Sequence, residues 1–139
     1  MATRVLTDAS VVVNAIDLSD HVKSVTVTLD RNMQDDTAMG HTAQTESPGL
    51  KANSLSVTFL QDFAAGEVDA TLWPLYDAAT SHTVVVKETS AAASPTNPKY
   101  TLTGYISSYN PIGGSVGDQH TTDVSWVNGA AAGIGRTTS

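Results

Sequence analysis

The sequence contains no cysteine, so neither a disulfide framework nor a thiolate metal site can stabilise it. It also has only 7 Lys and Arg residues against 14 Asp and Glu, which gives a formal net charge of −7. Proteins that bind nucleic acid need clustered basic side chains to displace counterions from the phosphates. The few scattered basic residues therefore argue against phosphate or nucleic-acid binding.

Long apolar runs are also absent. No stretch approaches the roughly eighteen apolar residues of a transmembrane helix, and the N-terminus lacks the pattern of a signal peptide. We therefore expect no membrane partner. Charged residues make up only 15% of the chain, and such a composition leaves wide neutral surfaces of the kind that often face other subunits.

The composition that remains is typical of a β-rich globular protein. A chain of 139 residues fits one domain with one core, here residues 1–139. Val, Thr, Ser and Ala are abundant, and 40% of the residues are hydrophobic.

Two alternating segments, residues 22–29 and 55–60, predict half-buried strands. Residues 30–53 between them predict a long loop, with Pro48-Gly49 as a turn. Ordering about twenty residues costs roughly 20–40 kcal/mol of backbone entropy. The few apolar side chains of the loop would return only about 5–10 kcal/mol. The loop should therefore be disordered in the free protein or lie against another surface, for example a second copy of the chain.

The rest of the chain predicts short strands and one helix. Asn14-Ala15 should be the turn of a short hairpin, and a helical turn should end at His21. Pro74 should kink or split a helix that begins near Val68. Further strands are expected at 83–87, at 100–109 with a bulge at Gly104, and at 122–127, with a turn at 111–117 and a C-terminal tail at 128–139.

No constellation of residues predicts catalysis or a cofactor. The four histidines, His21, His41, His82 and His120, are far apart and show no zinc spacing, so ordinary surface positions are expected and no metal ligand is assigned. The glycines at 113–117 precede a strand, which favours a turn over a phosphate loop. The acidic residues of the long loop lack calcium-loop spacing. The helix–sheet core is predicted to contain Phe59, Phe63, Val68, Leu72 and Leu75.

Several short motifs follow one another along the chain: Asp17-Leu-Ser-Asp-His-Val22, Thr37-Ala-Met-Gly40, Pro48-Gly-Leu50, Gln61-Asp-Phe63, Asp69-Ala-Thr-Leu72, Thr89-Ser-Ala-Ala, Thr96-Asn-Pro-Lys-Tyr100 and Gly113-Gly-Ser-Val-Gly-Asp118. In this order they resemble the major tail, or tail tube, proteins of long-tailed bacteriophages of actinobacteria. The match extends over about residues 10–127, and the departures from it are Ala15 and the Gly- and Ala-rich tail.

The resemblance implies an antiparallel β-sandwich or partly open barrel with one flanking helix and a long inter-strand loop. It also implies a non-enzymatic virion protein, assembled in the host cytoplasm as hexameric rings that stack into the tail tube. The channel would carry the tape-measure protein during assembly and DNA during genome ejection. An acidic chain suits a channel through which DNA passes without specific binding.

In this interpretation the long loop makes the contacts between rings. The residues expected there are Arg31, Met33, Met39, Pro48, Leu50 and Lys51. Two alternatives remain: a capsid decoration or minor tail protein on a related scaffold, and a carbohydrate-binding β-sandwich. The second would need exposed aromatic side chains on one sheet face.

Overall fold

The computed structural model describes residues 5–138, so residues 1–4 of the predicted domain and Ser139 of the predicted tail lie outside the described residues. Eight strands and one helix occur within this range, together with a 3₁₀ turn at Ser19–His21. Their bounds are β1 Ser10–Val13, β2 Ile16–Asp17, β3 Val22–Asp35, β4 Glu46–Leu60, α1 Val68–Asp77, β5 His82–Lys87, β6 Lys99–Tyr109, β7 Thr121–Asn128 and β8 Gly135–Thr137.

The strands form one antiparallel sheet in the order β2-β1-β5-β6-β7-β4-β3, and β8 pairs with β6 outside this path. Val27 of β3 and Val86 of β5 line the same small cavity, although β5 and β3 are well separated in the strand order. The sheet must therefore curl to bring these strands face to face. The result is the predicted mainly β fold, an antiparallel, partly open barrel with one flanking helix.

The core lies inside this curl and under the helix. Phe59, Val68, Leu72 and Leu75 are buried there, as predicted from the spacing of the apolar residues. Phe63 is not part of the core, because the chain has left the sheet after Leu60 and leaves its ring 55% exposed.

Trp126 is the largest of the fully buried side chains. Its indole N–H donates to Nε2 of the buried His82 over 2.8 Å. The other ring nitrogen of His82, Nδ1, donates to the Thr80 carbonyl at 2.9 Å. His82 is thus a hydrogen-bonded core residue, and the prediction of a surface position for it was wrong.

Several local predictions hold and others need correction. The β1–β2 hairpin turns at Asn14 and Ala15, whose φ angles of +49° and +67° are those of a type I′ turn. Helix α1 contains Pro74 and is not split there. The bulge in β6 falls between Ile106 and Ser108, whereas Gly104 lies at a close approach to the Val127 carbonyl.

The C-terminal segment is also more ordered than a tail. Residues Gly135–Thr137 pair with β6, and Ile134 packs against the core. The Asn53 side chain holds the segment by accepting a hydrogen bond from the Ile134 backbone N–H at 3.0 Å.

Candidate functional site: an exposed arm and a free sheet edge

Strands β3 and β4 form a hairpin that extends well beyond the core. Their pairing runs from Val22 opposite Phe59 to Asp35 opposite Glu46. The predicted loop at 30–53 is therefore wrong in its bounds, since only residues 36–45 connect the two strands. Backbone hydrogen bonds between the two strands order this segment, although its sequence lacks the apolar alternation typical of a strand. We call residues 29–52 the arm.

Both faces of the arm are open to solvent in the isolated subunit. Apart from the half-buried Ser47 and Gly49, every residue of the arm is exposed. At its base the hairpin buries one face, with Asn53, Leu55 and Val57 inside. The arm continues the hairpin past the point where the core ends, and residues 128–134 of the described chain border its base beside Arg31, Leu50 and Lys51 without burying it.

The arm carries apolar side chains despite this exposure. Leu29, Met33, Met39 and Leu50 are 55%, 46%, 102% and 82% exposed. Leu29 continues the inward-facing positions of β3, whereas Leu50 lies on the opposite face of β4 from Asn53. Exposed apolar residues grouped on one projection are typical of a contact surface.

All six residues predicted as contacts lie on this arm and are exposed: Arg31, Met33, Met39, Pro48, Leu50 and Lys51. Arg31 and Lys51 are cross-strand partners. Leu29 was missed as an arm residue because it ends an alternating segment and reads as strand core. Its exposure depends on where the core ends, which the sequence does not state.

Pro48 and Gly49 were predicted to form a turn, but they lie at a bulge in the middle of the arm. The register shifts between Arg31 and Met33, and Pro48 pairs with Met33. Proline in a strand is tolerated at such a bulge because it lacks a backbone N–H. A side chain at Gly49 would place its Cβ 2.7 Å from the Asn32 carbonyl oxygen, and the Arg31 guanidinium donates to the Gly49 carbonyl at 3.0 Å.

The tip of the arm is closed by its own polar groups. The Asp36 backbone N–H donates to the Thr45 carbonyl at 3.0 Å, and the Thr45 N–H donates to Thr37 Oγ1 at 2.8 Å. Hydrogen bonds from Ser47 lower the pKa of Asp36, and those from Thr37 lower the pKa of Asp35. The tip therefore presents Met39 from a hydrogen-bonded loop.

Among residues 5–138, strand β3 is also the last strand of the sheet, and no described strand pairs with its outer edge along its 14 residues. A long free edge is a template for pairing with another chain. The arm and this edge belong to the same strand, so one partner surface could engage both.

A second group of side chains meets at the base of β3. His21 Nε2 lies 3.2 Å from Asp62 Oδ2 and 3.4 Å from Glu67 Oε2, and His21 Nδ1 lies 2.9 Å from Asp20 Oδ1. Partial burial lowers the pKa of His21, but hydrogen bonds to Asp62 and Asp20 outweigh it and the net shift is upward. The backbone N–H of Ala64, followed by His21, lowers the pKa of Asp62. Sequence reasoning did not connect these residues because 41 positions separate His21 from Asp62.

Helix α1 exposes an aromatic pair. The Trp73 and Tyr76 rings lie 6.0 Å apart and are 48% and 46% exposed. Tyr76 also contacts Tyr109, with ring centroids 6.5 Å apart. The pair lies on the helix and not on a sheet face, which disfavours the carbohydrate-binding alternative.

No helix among residues 5–138 is long and apolar enough to cross a membrane.

No protein-family model and no curated protein matches the sequence. Solved structures do match. A chain from the virion of a native gene transfer agent particle has a TM-score of 0.74 at 11% identity, covering 97% of this chain and 99% of that one. A chain of the SPP1 tail tube has a TM-score of 0.72 at 14% identity, covering 95% and 77%. A sheath/tube terminator of an extracellular contractile injection system has a TM-score of 0.72 at 8% identity, covering 99% and 98%.

At these identities the likeness concerns the fold. The chain has a tail-tube fold, the architecture it shares with structural components of phage tails and contractile injection systems.

Proposed function

We propose that this chain is the structural subunit of a viral tail tube, which assembles with copies of itself into stacked hexameric rings. The observation that carries the proposal is the arm: an ordered hairpin with both faces exposed and apolar side chains along it. Such a feature suits a subunit whose partner is another copy. The function is structural and needs no catalytic residue or cofactor.

The fold supports the same assignment. A chain from the tail of an empty gene transfer agent particle, refined with C6 symmetry, has a TM-score of 0.65 at 12% identity and covers 84% of this chain. Six copies related in this way would place the free edge of β3 beside a neighbouring subunit. The inner sheets would then join into one barrel that lines the channel.

In this assembly the arm reaches the next ring. Arg31, Met33, Met39, Pro48, Leu50 and Lys51 make the contacts between rings, and Leu29 adds an apolar side chain at the base of the arm. The excess of acidic residues, with a net charge of −7, lets DNA pass through the channel during genome ejection without binding. The tape-measure protein and other tail proteins would be the remaining partners.

The motif resemblance supports a long-tailed bacteriophage of actinobacteria as the source of such a tail. The protein would then be assembled in the host cytoplasm and reside in the virion.

A minor tail protein that closes the tube is the second candidate. The likeness to a tube terminator, at a TM-score of 0.72, favours it over a capsid decoration protein. We expect a terminator to form rings that do not stack, whereas a tube subunit adds ring upon ring. Negative-stain electron microscopy of the concentrated protein separates the two: long tubes support the proposal, and rings that do not stack support the terminator.

The arm itself can be removed without leaving the hairpin open. Residues 32–50 are replaced by Asn-Gly, a type I′ turn sequence that closes the hairpin between the cross-strand partners Arg31 and Lys51. We expect folded, soluble subunits by circular dichroism and no tubes by microscopy. Tubes of normal length from this variant would refute the role of the arm.

A pair of point variants tests the apolar contact more finely. Leu50 on the arm and Ile112 in the β6–β7 loop are 82% and 80% exposed. Neither Leu50→Ser nor Ile112→Ser should change the free energy of unfolding by more than about 0.5 kcal/mol. Burying a leucine is worth about 1.5–3 kcal/mol, so Leu50→Ser should raise the concentration needed for tubes about tenfold to a hundredfold. Ile112→Ser should leave it unchanged, and equal effects of the two variants would contradict the assignment.

A further inference from the structure

We propose that His21, Asp62 and Glu67 form a binding site for a divalent cation of the zinc type. The three donor atoms are His21 Nε2, Asp62 Oδ2 and Glu67 Oε2, and all lie within 4.8 Å of one another. One imidazole nitrogen and two carboxylate oxygens are ligands that Zn²⁺ accepts. The inference stands apart from the proposed tube function, because it concerns how one subunit is held together.

Two of the three distances between the donors are close to those of a zinc site. Two ligands at 2.0–2.2 Å from a tetrahedral zinc ion lie about 3.3–3.6 Å from each other. The His21 nitrogen lies 3.2 Å from the Asp62 oxygen and 3.4 Å from the Glu67 oxygen. A charge-assisted hydrogen bond from an imidazolium would instead be about 2.7–2.9 Å long. The nitrogen is shared between two carboxylates at the longer spacing.

The groups behind the donors already have the orientation that a metal site requires. Asp20 Oδ1 lies 2.9 Å from His21 Nδ1 and accepts its proton. A cation would replace the Nε2 proton that now faces Asp62 and Glu67, and Nε2 would then give it a lone pair. A carboxylate behind the distal nitrogen is the usual support of a metal-bound histidine. Asp62 is fixed in the same way, because its Oδ1 accepts a hydrogen bond from the Ala64 N–H at 2.9 Å.

The site joins three parts of the chain. His21 ends the 3₁₀ turn before β3, Asp62 follows β4, and Glu67 directly precedes α1. Side-chain exposures of 15%, 38% and 37% leave the three side chains partly open to solvent, from which water would supply a fourth ligand. A bound cation would neutralise the two carboxylates and tie the base of the edge strand to the helix.

Calorimetric titration of the metal-free full-length protein with ZnCl₂ tests the site, in a mildly alkaline buffer because protons compete with zinc for His21 Nε2. We expect one saturable zinc per chain and a rise of the melting temperature of about 5–10 °C at a hundredfold excess over Kd. Mg²⁺ at the same concentrations should bind far more weakly, because imidazole is a poor ligand for it.

Variants identify the ligands. Glu67→Gln keeps the shape of the side chain and should weaken zinc binding at least tenfold, and His21→Ala should abolish it. Asp20→Asn, which changes only the support of the imidazole, should weaken binding about tenfold to a hundredfold. His41→Ala, at the tip of the arm, is the matched control and should bind zinc as the unaltered protein does. Absence of saturable binding at millimolar zinc, or unchanged binding by folded Glu67→Gln, would overturn the proposal.

Discussion

Substitution of Gly104 by alanine should destabilise the subunit through one steric conflict. Gly104 pairs with His82 in β5 and with Asn128 in β7. A Cβ there would lie 2.0 Å from the Val127 carbonyl oxygen and 2.8 Å from the Gly129 nitrogen. Both obstructing atoms belong to the backbone, so no side chain can swing aside. The two strands must separate by about 1 Å, because contacts of Cβ closer than 3.0 Å are essentially never observed.

The size of the effect follows from this separation. Overpacking costs about 1–3 kcal/mol, and each backbone hydrogen bond lost adds about 1 kcal/mol. One such bond, from the Gly129 N–H to the Thr103 carbonyl, is 2.9 Å long and lies beside the clash. We therefore expect a loss of about 2–4 kcal/mol in the free energy of unfolding. For a domain of this size the entropy of unfolding is about 0.3 kcal/mol/K, so the melting temperature should fall by about 7–13 °C.

Urea unfolding followed by tryptophan fluorescence measures this loss, since Trp126 is fully buried. The protein concentration must stay low, because the proposed assembly into tubes would itself stabilise the folded state. Gly113→Ala is the matched control, with nothing within 4 Å of its added Cβ. It should change stability by no more than about 0.5–1 kcal/mol, in the stabilising direction if at all. A Gly104→Ala variant within 0.5 kcal/mol of the unaltered protein would refute the steric argument.

Two further predictions concern the turn at Ala15 and the phenol of Tyr109. Ala15 has φ of +67°, so Ala15→Gly should relieve about 1–2 kcal/mol of backbone strain. Glycine also makes the unfolded chain more flexible, which costs about 0.4–1 kcal/mol. Urea unfolding should therefore show a net stabilisation, and destabilisation would contradict the turn geometry. Burial, followed by the 2.6 Å hydrogen bond to Asp69, raises the pKa of Tyr109 from 10.0 to about 12. This raised pKa stabilises the fold fully below pH 10 and progressively less as the pH rises to about 12. Tyr109→Phe should flatten the loss of stability between pH 10 and about 12. If the tyrosinate absorbance of Tyr109 developed near pH 10, together with that of the exposed tyrosines, the raised pKa would be refuted.

The fold was predictable where the chain alternates β-branched and polar residues. The inner half of β4 follows this pattern, strand β5 is instead a short run of β-branched residues, and both lie over the core as expected. The outer half of β4 contains Pro48 and Gly49 and lacks the pattern, so its pairing could not be foreseen. Phe63 was assigned to the core by residue type, although burial depends on the path of the chain after Leu60.

The candidate contact surface was predictable in sequence but not in shape. The poverty of apolar residues in segment 30–53 indicated a need for a partner, and the contact residues inferred there all lie on the arm. The cluster around His21 could not be predicted in this way. Its side chains come from segments that only the tertiary fold brings together.

The entropy cost of ordering residues 30–53 is met differently by a paired hairpin than by a loop. A disordered loop can stay disordered until a partner binds, whereas a paired hairpin has already lost its backbone freedom. Cross-strand hydrogen bonds return about 1 kcal/mol each, and an isolated two-stranded ribbon is only marginally stable in water. The arm gains almost nothing from burial, since apart from two half-buried residues it is exposed on both faces. A surface that covers Leu29 on one face and Leu50 on the other would supply the missing burial, and two different neighbours in a stacked assembly offer one surface for each face.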